Sequence, residues 1–145
     1  MLKTRIIPTV LMKGRQAVKG KAFRSDRMIG QLKMTARVYS SRSVDELILL
    51  AVDGAGAPLD IVLDFADSTF APLCVGGGIQ EVDHALELLA SGADKVSICT
   101  KAVEDPGFIE RLAKRIGSQS VVVSIDVKDG EVFVGCGKKI GRAHV

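Results

Sequence analysis

The chain has 145 residues, enough for one compact domain, and its 47% of hydrophobic residues excludes a disordered chain. Aromatic residues make up only 4%, with no Trp, so the core must be aliphatic, as in parallel sheets buried on both faces. The 20 basic and 17 acidic residues give a formal charge of +3, and the sequence shows neither the basic stripe nor the stacking aromatics of a nucleic-acid-binding protein.

Short apolar runs alternate with amphipathic segments along the chain. The apolar runs predict five buried strands, at 5–12, 46–52, 72–75, 93–98 and 120–127. Helical spacing predicts four helices, at 31–41, 59–70, 79–91 and 105–115. The basic segment 14–30 is irregular and is predicted as a loop, and a turn at 128–130 predicts that 131–134 pairs back as a hairpin.

This alternation of strands and helices with short connections predicts an α/β fold, a parallel sheet with right-handed crossovers. Both an open doubly wound sheet and part of a closed barrel fit the pattern. A complete (β/α)₈ barrel requires ~250 residues, so this chain could form only part of one. If it is a partial barrel, we expect the first and fifth strands to be exposed sheet edges.

The three cysteines, Cys74, Cys99 and Cys136, are odd in number and widely spaced. They form neither a disulfide framework nor a zinc pattern. We predict no metal and no cofactor. Reduced thiols are typical of a cytoplasmic protein. The apolar N-terminal stretch is too short for a signal peptide, and no run of residues approaches the ~20 of a membrane span, so no membrane association is expected.

The turn Val75-Gly76-Gly77-Gly78-Ile79, between a strand and a helix, is a candidate anion site. Without Cβ atoms the backbone can approach a ligand closely, and its N–H groups and those that open the helix can point at a phosphate. The G-x-G-x-x-G spacing of a dinucleotide site is absent. A tight turn without a ligand is the alternative interpretation.

Thr100, after the fourth strand, and Asp126, near the end of the fifth, are further candidates. In a barrel the carboxyl ends of the strands meet at one face, so Thr100 could add a hydroxyl to the phosphate site. Asp126 would be placed there for general acid or base work. Their alternatives are a helix-capping Thr and a turn Asp. Arg5, Glu46 and Lys95 lie near strand starts, where charges usually form a structural ion-pair layer.

A family resemblance rests on several motifs together, and it runs in register from residue 1 to about 139. The motifs are Arg5-Ile6-Ile7-Pro8, Val18-Lys19-Gly20, Asp45-Glu46-Leu47, the glycine turn, Gly92-Ala93-Asp94-Lys95-Val96-Ser97-Ile98 and the segment 117–126. With these motifs the chain resembles the cyclase subunit of imidazole glycerol phosphate synthase.

The resemblance implies the N-terminal half of a (β/α)₈ barrel, ending after strand five, that binds a phosphorylated substrate and receives ammonia from a partner glutaminase. By resemblance, the glycine turn and Thr100 would hold a substrate phosphate and Asp126 would be one of two catalytic aspartates. Arg5, Glu46 and Lys95 would gate the entry of ammonia at the bottom of the barrel, and Asp94 would lie near the glutaminase interface.

The sequence departs from the family pattern at three site positions. Leu11 stands where the family has its other catalytic aspartate, Ala51 replaces a second usual aspartate and Cys99 replaces an asparagine. Three hypotheses follow: a cyclase of histidine biosynthesis; a paralogue that channels ammonia to make an acetamidino sugar for surface polysaccharide; and a non-catalytic member that binds phosphate and docks a glutaminase.

The likeness ends after residue 139, and the final hexapeptide, residues 140–145, matches one reading frame of a common sequencing adapter. We therefore expect residues 1–139 to form an incomplete half-barrel domain and residues 140–145 to be a non-native tail.

Overall fold

The computed structural model describes residues 3–21, 24–135, 137 and 139–140. The parallel strands are β1 (Thr9–Lys13), β4 (Leu47–Ala51), β5 (Leu73–Gly76), β6 (Lys95–Ile98) and β7 (Val121–Val123). The antiparallel strands are β2 (Gln16–Lys21), β3 (Arg24–Gln31), β8 (Asp126–Lys128), β9 (Glu131–Val134) and β10 (Lys139–Ile140). The helices are α1 (Leu32–Ser41), α2 (Leu59–Ala66), α3 (Val82–Ala90), α4 (Thr100–Glu104) and α5 (Gly107–Ile116), and a 3₁₀ turn spans Ser118–Ser120.

The main sheet has seven strands in the order β3-β2-β1-β4-β5-β6-β7. Its parallel part, from β1 to β7, follows chain order, so each crossover moves one strand further in the same direction. A doubly wound sheet would reverse direction at a switch point. The sequential order therefore decides between the two architectures left open by the sequence: the fold is a partial (β/α) barrel.

Alternate residues of the parallel strands pack beneath the helices because side chains alternate across a strand. Val10, Met12, Leu49, Val75 and Val96 are at most 4% exposed and form one aliphatic core with helix residues. The other set of strand residues lies on the opposite side of the sheet, here called the inner face. Its middle row pairs Leu11 with Leu50, Leu50 with Gly76, Gly76 with Ser97 and Ser97 with Val122.

The segment predicted as a loop is instead the antiparallel hairpin β2–β3, and that prediction was wrong. Gly14, with φ of +56°, reverses the chain, so that Leu11 pairs with Val18 and Met12 with Ala17. Ala17 and Val18 are buried, which gives the basic hairpin an apolar anchor. The hairpin covers one side of β1, so the expectation that the first strand is an exposed edge was also wrong: the edges of this sheet are β3 and β7.

The predicted fifth strand is divided between two sheets. β7 ends at Val123, and after Ser124 and Ile125 the chain enters β8, which pairs with β9 as the predicted hairpin. β9 also pairs with β10, in which Ile140 lies opposite Phe133. The short helix α4 was not predicted. Of the sequence predictions, those for Cys136 and residues 141–145 lie outside the described residues.

Candidate functional site

The inner face carries polar groups at its two ends. At the amino end of the parallel strands, here called the bottom, lie Arg5, Glu46 and Lys95. At the carboxyl end, here called the mouth, lie the glycine turn, Thr100 and Asp126.

Glu46 immediately precedes β4 and is only 4% exposed. Its Oε2 atom accepts hydrogen bonds from Arg5 Nη2 at 2.5 Å and from Lys95 Nζ at 2.9 Å, and its Oε1 atom accepts from Lys95 Nζ at 2.9 Å. The structure therefore brings together the three charged residues that the sequence placed near separate strand starts. Both cations reach solvent, since the side chains of Arg5 and Lys95 are 53% and 29% exposed.

Cys74 lies beside this charged cluster on the inner face, between Ile48 and Lys95 in the strand register. Its side chain is 1% exposed. Burial raises the pKa of the thiol to about 11, and the negative charge of Glu46 adds to the rise. The thiol is therefore protonated and neutral at pH 7, and it separates the charged bottom from the next row of the inner face.

Asp94, predicted near a partner interface, is exposed and immediately precedes β6 at the bottom. Its Oδ2 atom accepts the Leu73 N–H at 2.7 Å, and its own N–H donates to the Leu73 carbonyl at 2.8 Å. This reciprocal pair aligns the starts of β5 and β6. A contact with a partner stays a prediction.

Ser97 and Ser124 form a pair that the sequence analysis missed. Their hydroxyl oxygens lie 2.6 Å apart, and Ser97 is 5% exposed. Because Ser97 follows Cys74 one row further along the inner face, small polar groups lead from the bottom toward the mouth. The signal available in the sequence was one serine at an inward-facing position of each of two otherwise apolar segments.

The glycine turn leaves β5 at the mouth, and all three glycines are needed for close packing. A Cβ on Gly76 would lie 2.8 Å from the Ser97 Cβ, and one on Gly77, at φ of +97°, would lie 2.1 Å from the Ala51 carbonyl oxygen. A Cβ on Gly78, at φ of +70°, would lie 2.7 Å from the Gly56 nitrogen. The packing of the turn against Ser97, the end of β4 and the β4–α2 loop therefore accounts for the glycines, and phosphate binding there stays a prediction.

The β4–α2 loop is hydrogen-bonded to the turn between β1 and β2. Asp53 accepts the Gly14 N–H at 2.9 Å through Oδ2 and the Ala55 N–H at 3.1 Å through Oδ1. The Gly14 hydrogen bond is the main reason that the pKa of Asp53 lies below its ordinary value. The ionised carboxylate thus connects the β1–β2 turn with the β4–α2 loop at the mouth. The sequence analysis did not assign this role to Asp53.

Thr100 is the first residue of α4, directly after β6, and its Oγ1 atom accepts the Gly135 N–H at 3.0 Å. Asp126 is the first residue of β8 and not, as predicted, the end of a continuous fifth strand. The Cys99 thiol lies 3.9 Å from the Asp126 carboxylate. Cys99 thus adjoins both candidates, since it directly precedes Thr100 in the chain and its thiol lies near Asp126. The glycine turn leaves the adjacent strand, β5, at the same end of the sheet.

Two of the three positions that depart from the family pattern, Leu11 and Ala51, carry apolar side chains. Leu11 lies in the middle row of the inner face, opposite Leu50. Ala51 is 4% exposed and belongs to the aliphatic core. Neither side chain can supply a carboxylate. Of the candidate catalytic residues from the sequence analysis, Asp126 is the one that lies at the mouth.

The described residues contain no group of three or more His, Cys, Asp or Glu side chains that could hold a metal ion. Across the same described ranges, each helix is too short or too polar to cross a membrane.

Comparison with known proteins gives a consistent result. Residues 5–144 match the family model described as histidine biosynthesis protein. An imidazole glycerol phosphate synthase subunit named hisF2, from Campylobacter jejuni, is 47% identical over 131 residues, which cover 88% of this chain and 53% of that protein. The HisF subunit of the synthase from Dictyoglomus thermophilum is 44% identical over 147 residues, covering 95% of this chain and 58% of the relative.

A second protein named hisF2, from Vibrio vulnificus, is 41% identical over 138 residues and is covered over 51% of its length. The chain thus spans about half the length of the curated relatives that it matches. The matched family model covers nearly the whole sequence. The chain belongs to the histidine biosynthesis protein family, among the relatives of the cyclase subunit of imidazole glycerol phosphate synthase.

Proposed function

We propose that this chain is part of a cyclase-like subunit that uses ammonia from a glutaminase to form imidazole glycerol phosphate in histidine biosynthesis. The substrate is a phosphorylated small molecule bound at the mouth, in the cytoplasm. The glycine turn and Thr100 hold one phosphate, and Asp126 acts as general acid or base. The glutaminase docks at the bottom, near Asp94, and ammonia enters past Arg5, Glu46 and Lys95.

One observation carries this proposal: a carboxylate that is 4% exposed sits on the inner face with two cations as partners. Replacement of a buried ion pair by apolar residues is often neutral or stabilising, so the cluster is poorly explained by stability alone. Its place at the opposite end from Thr100 and Asp126 suits a gate, since a small neutral molecule admitted there would meet Cys74 and the Ser97–Ser124 pair before the mouth.

Leu11 is the observation that favours a second candidate. General acid–base catalysis contributes typically ~10²–10⁴-fold to a rate, and leucine cannot transfer protons. The alternative is the paralogue that delivers ammonia for an acetamidino sugar of surface polysaccharide, and two of the relatives named above are called hisF2. A non-catalytic member that binds phosphate and docks a glutaminase is the third possibility that Leu11 motivates.

Complementation tests the proposal. The full-length gene is expressed in a histidine auxotroph that lacks the cyclase subunit, and we expect growth that Asp126→Asn abolishes. Asp129→Asn is the matched control, because Asp129 is exposed and occupies the hairpin turn three residues further on.

Leu11→Asp separates the candidates. If the natural protein fails to complement but Leu11→Asp grows, the protein is a degenerate cyclase. If neither supports growth, the histidine-pathway proposal is wrong, and binding of inorganic phosphate by the natural protein would then be the property shared by the two remaining candidates.

A further inference from the structure

The hairpin formed by β8 and β9 links the two candidate residues of the mouth. β8 begins with Asp126, which lies opposite Phe133 in the register. The chain reverses at Asp129 and Gly130, whose φ values of +52° and +81° are those of the turn that suits a two-residue hairpin. Two residues beyond Phe133, the Gly135 N–H donates to Thr100 Oγ1 at 3.0 Å. One short element thus carries the carboxylate and contacts the hydroxyl.

The contact with Gly135 fixes how the Thr100 hydroxyl can be used. A threonine hydroxyl has one proton to donate and two acceptor lone pairs. Because the Gly135 N–H occupies a lone pair, the proton is directed away from the hairpin and stays available to an acceptor. A phosphate oxygen is such an acceptor, and hydrogen bonds to charged acceptors are stronger than neutral ones.

The hairpin is anchored to the rest of the fold rather than projecting from it. Val134, the last residue of β9, is 5% exposed although its neighbours in β9 are more accessible. Burial of this side chain beside Gly135 holds the donor at a defined distance from Thr100. The turn at Gly130, in contrast, is open: a Cβ there would have no neighbour within 4 Å.

From this arrangement we infer that the β8–β9 hairpin is a positioning element of the phosphate site. It orients the Thr100 hydroxyl as a donor to the substrate phosphate and sets the separation between that phosphate and Asp126. The inference rests on the proposed function, since it assumes that Thr100 contacts phosphate. Gly135 acts through Thr100 and does not itself touch the ligand.

A double-mutant cycle tests this inference, with the affinity of the intact protein for inorganic phosphate as the readout. Thr100→Val removes the hydroxyl at similar volume and should weaken phosphate binding about ten-fold. Thr100→Ser keeps the hydroxyl and should bind nearly as the natural protein does. Gly130→Val places a β-branched residue at positive φ, which loosens the turn without a steric clash, and should weaken binding several-fold.

The decisive result is the combination of Gly130→Val with Thr100→Val. If the hairpin acts through the hydroxyl, the double variant binds no more weakly than Thr100→Val alone. Gly14→Val is the matched control, since Gly14 also has positive φ with open space around its Cβ, but lies in the turn between β1 and β2. The fold-change in phosphate affinity caused by Gly14→Val should multiply with the fold-change caused by Thr100→Val. Gly130→Ala gives a milder change for use if the valine variant does not fold.

Independent, multiplicative effects of Gly130→Val and Thr100→Val would overturn the inference, and would leave the phosphate site itself in place. Absence of phosphate binding by the natural protein, or binding insensitive to Thr100→Val, would overturn the proposed role of Thr100 instead. The two failures are therefore distinguishable.

Discussion

The two ends of the inner face satisfy their polar groups in different ways. At the bottom, Glu46 is bound by Arg5 and Lys95, so the charges are paired within the chain. At the mouth, backbone groups hold the side chains: Asp53 accepts N–H groups of two connections, and Thr100 accepts one from Gly135. The comparison indicates that side-chain charges neutralise one another within the chain at the bottom, whereas backbone N–H groups hold the polar side chains in place at the mouth.

The largest effect on stability should come from the frame of the mouth. Gly77→Ala places a Cβ 2.1 Å from the Ala51 carbonyl oxygen, at φ of +97°, and the two backbones must separate. We expect a loss of roughly 3–5 kcal/mol, from overpacking and from the left-handed backbone together. Urea unfolding measures it.

Gly54→Ala is the matched control for Gly77→Ala. Gly54 also has positive φ, at +79°, but a Cβ there would have no neighbour within 4 Å. It should cost only about 1 kcal/mol, the backbone contribution alone. Equal costs for the two variants would show that close packing of the turn against the end of β4 does not stabilise the mouth.

The next largest loss of stability should come from breaking the charged cluster at the bottom. Glu46→Gln leaves two cations beside a neutral group, and loss of one partner of a buried ion pair typically costs ~3–5 kcal/mol. We expect roughly 2–3 kcal/mol, because Arg5 and Lys95 both reach solvent. The unfolding free energy from urea titration is the measurement, with Glu81→Gln on the surface as control.

The double variant Glu46→Leu with Lys95→Met separates the effect of the charged cluster on stability from its proposed role as an ammonia gate. It removes the buried charges and should recover most of the stability lost in Glu46→Gln. Growth in the complementation assay, which requires ammonia delivered by the glutaminase through the bottom, should nevertheless fail. Recovery of both stability and growth would assign the cluster a structural role only.

The smallest effect depends on pH and on Cys74, which lies just beyond the charged cluster. The pKa of its thiol is about 11 in the folded protein against an ordinary value of 9.0. A raised pKa means that the unfolded chain loses its proton first, so this contribution to stability is complete below pH 9 and is lost as pH rises toward 11. We expect a loss of up to about 2 kcal/mol by pH 10.5.

Cys74→Ala isolates this effect from the titration of lysines. The stability of the variant, compared with that of the natural protein at pH 8 and pH 10.5, should fall less steeply with pH. Parallel declines of the two proteins would contradict burial of the thiol beside Glu46.

Local sequence was sufficient for the regular elements of the barrel. The apolar runs and the 3.6-residue spacing identified all five parallel strands and four of the helices, because each of these elements buries one face. The hairpin β2–β3 was missed because its polar and basic side chains conceal the two buried positions, Ala17 and Val18. The helix α4 was missed because five residues are too few to show periodicity.

The parallel β/α order, the aliphatic core and the family can be recognised from the amino-acid sequence, since they follow from periodicity and from motifs that lie within single segments. The direction of the crossovers, the meeting of Arg5 and Lys95 on one Glu46 carboxylate, and the contact of Gly135 with Thr100 became known only from the folded chain. These pairs are separated by between 35 and 49 residues. Strand register and chain reversal, which depend on packing across the whole sheet, bring them within hydrogen-bond distance.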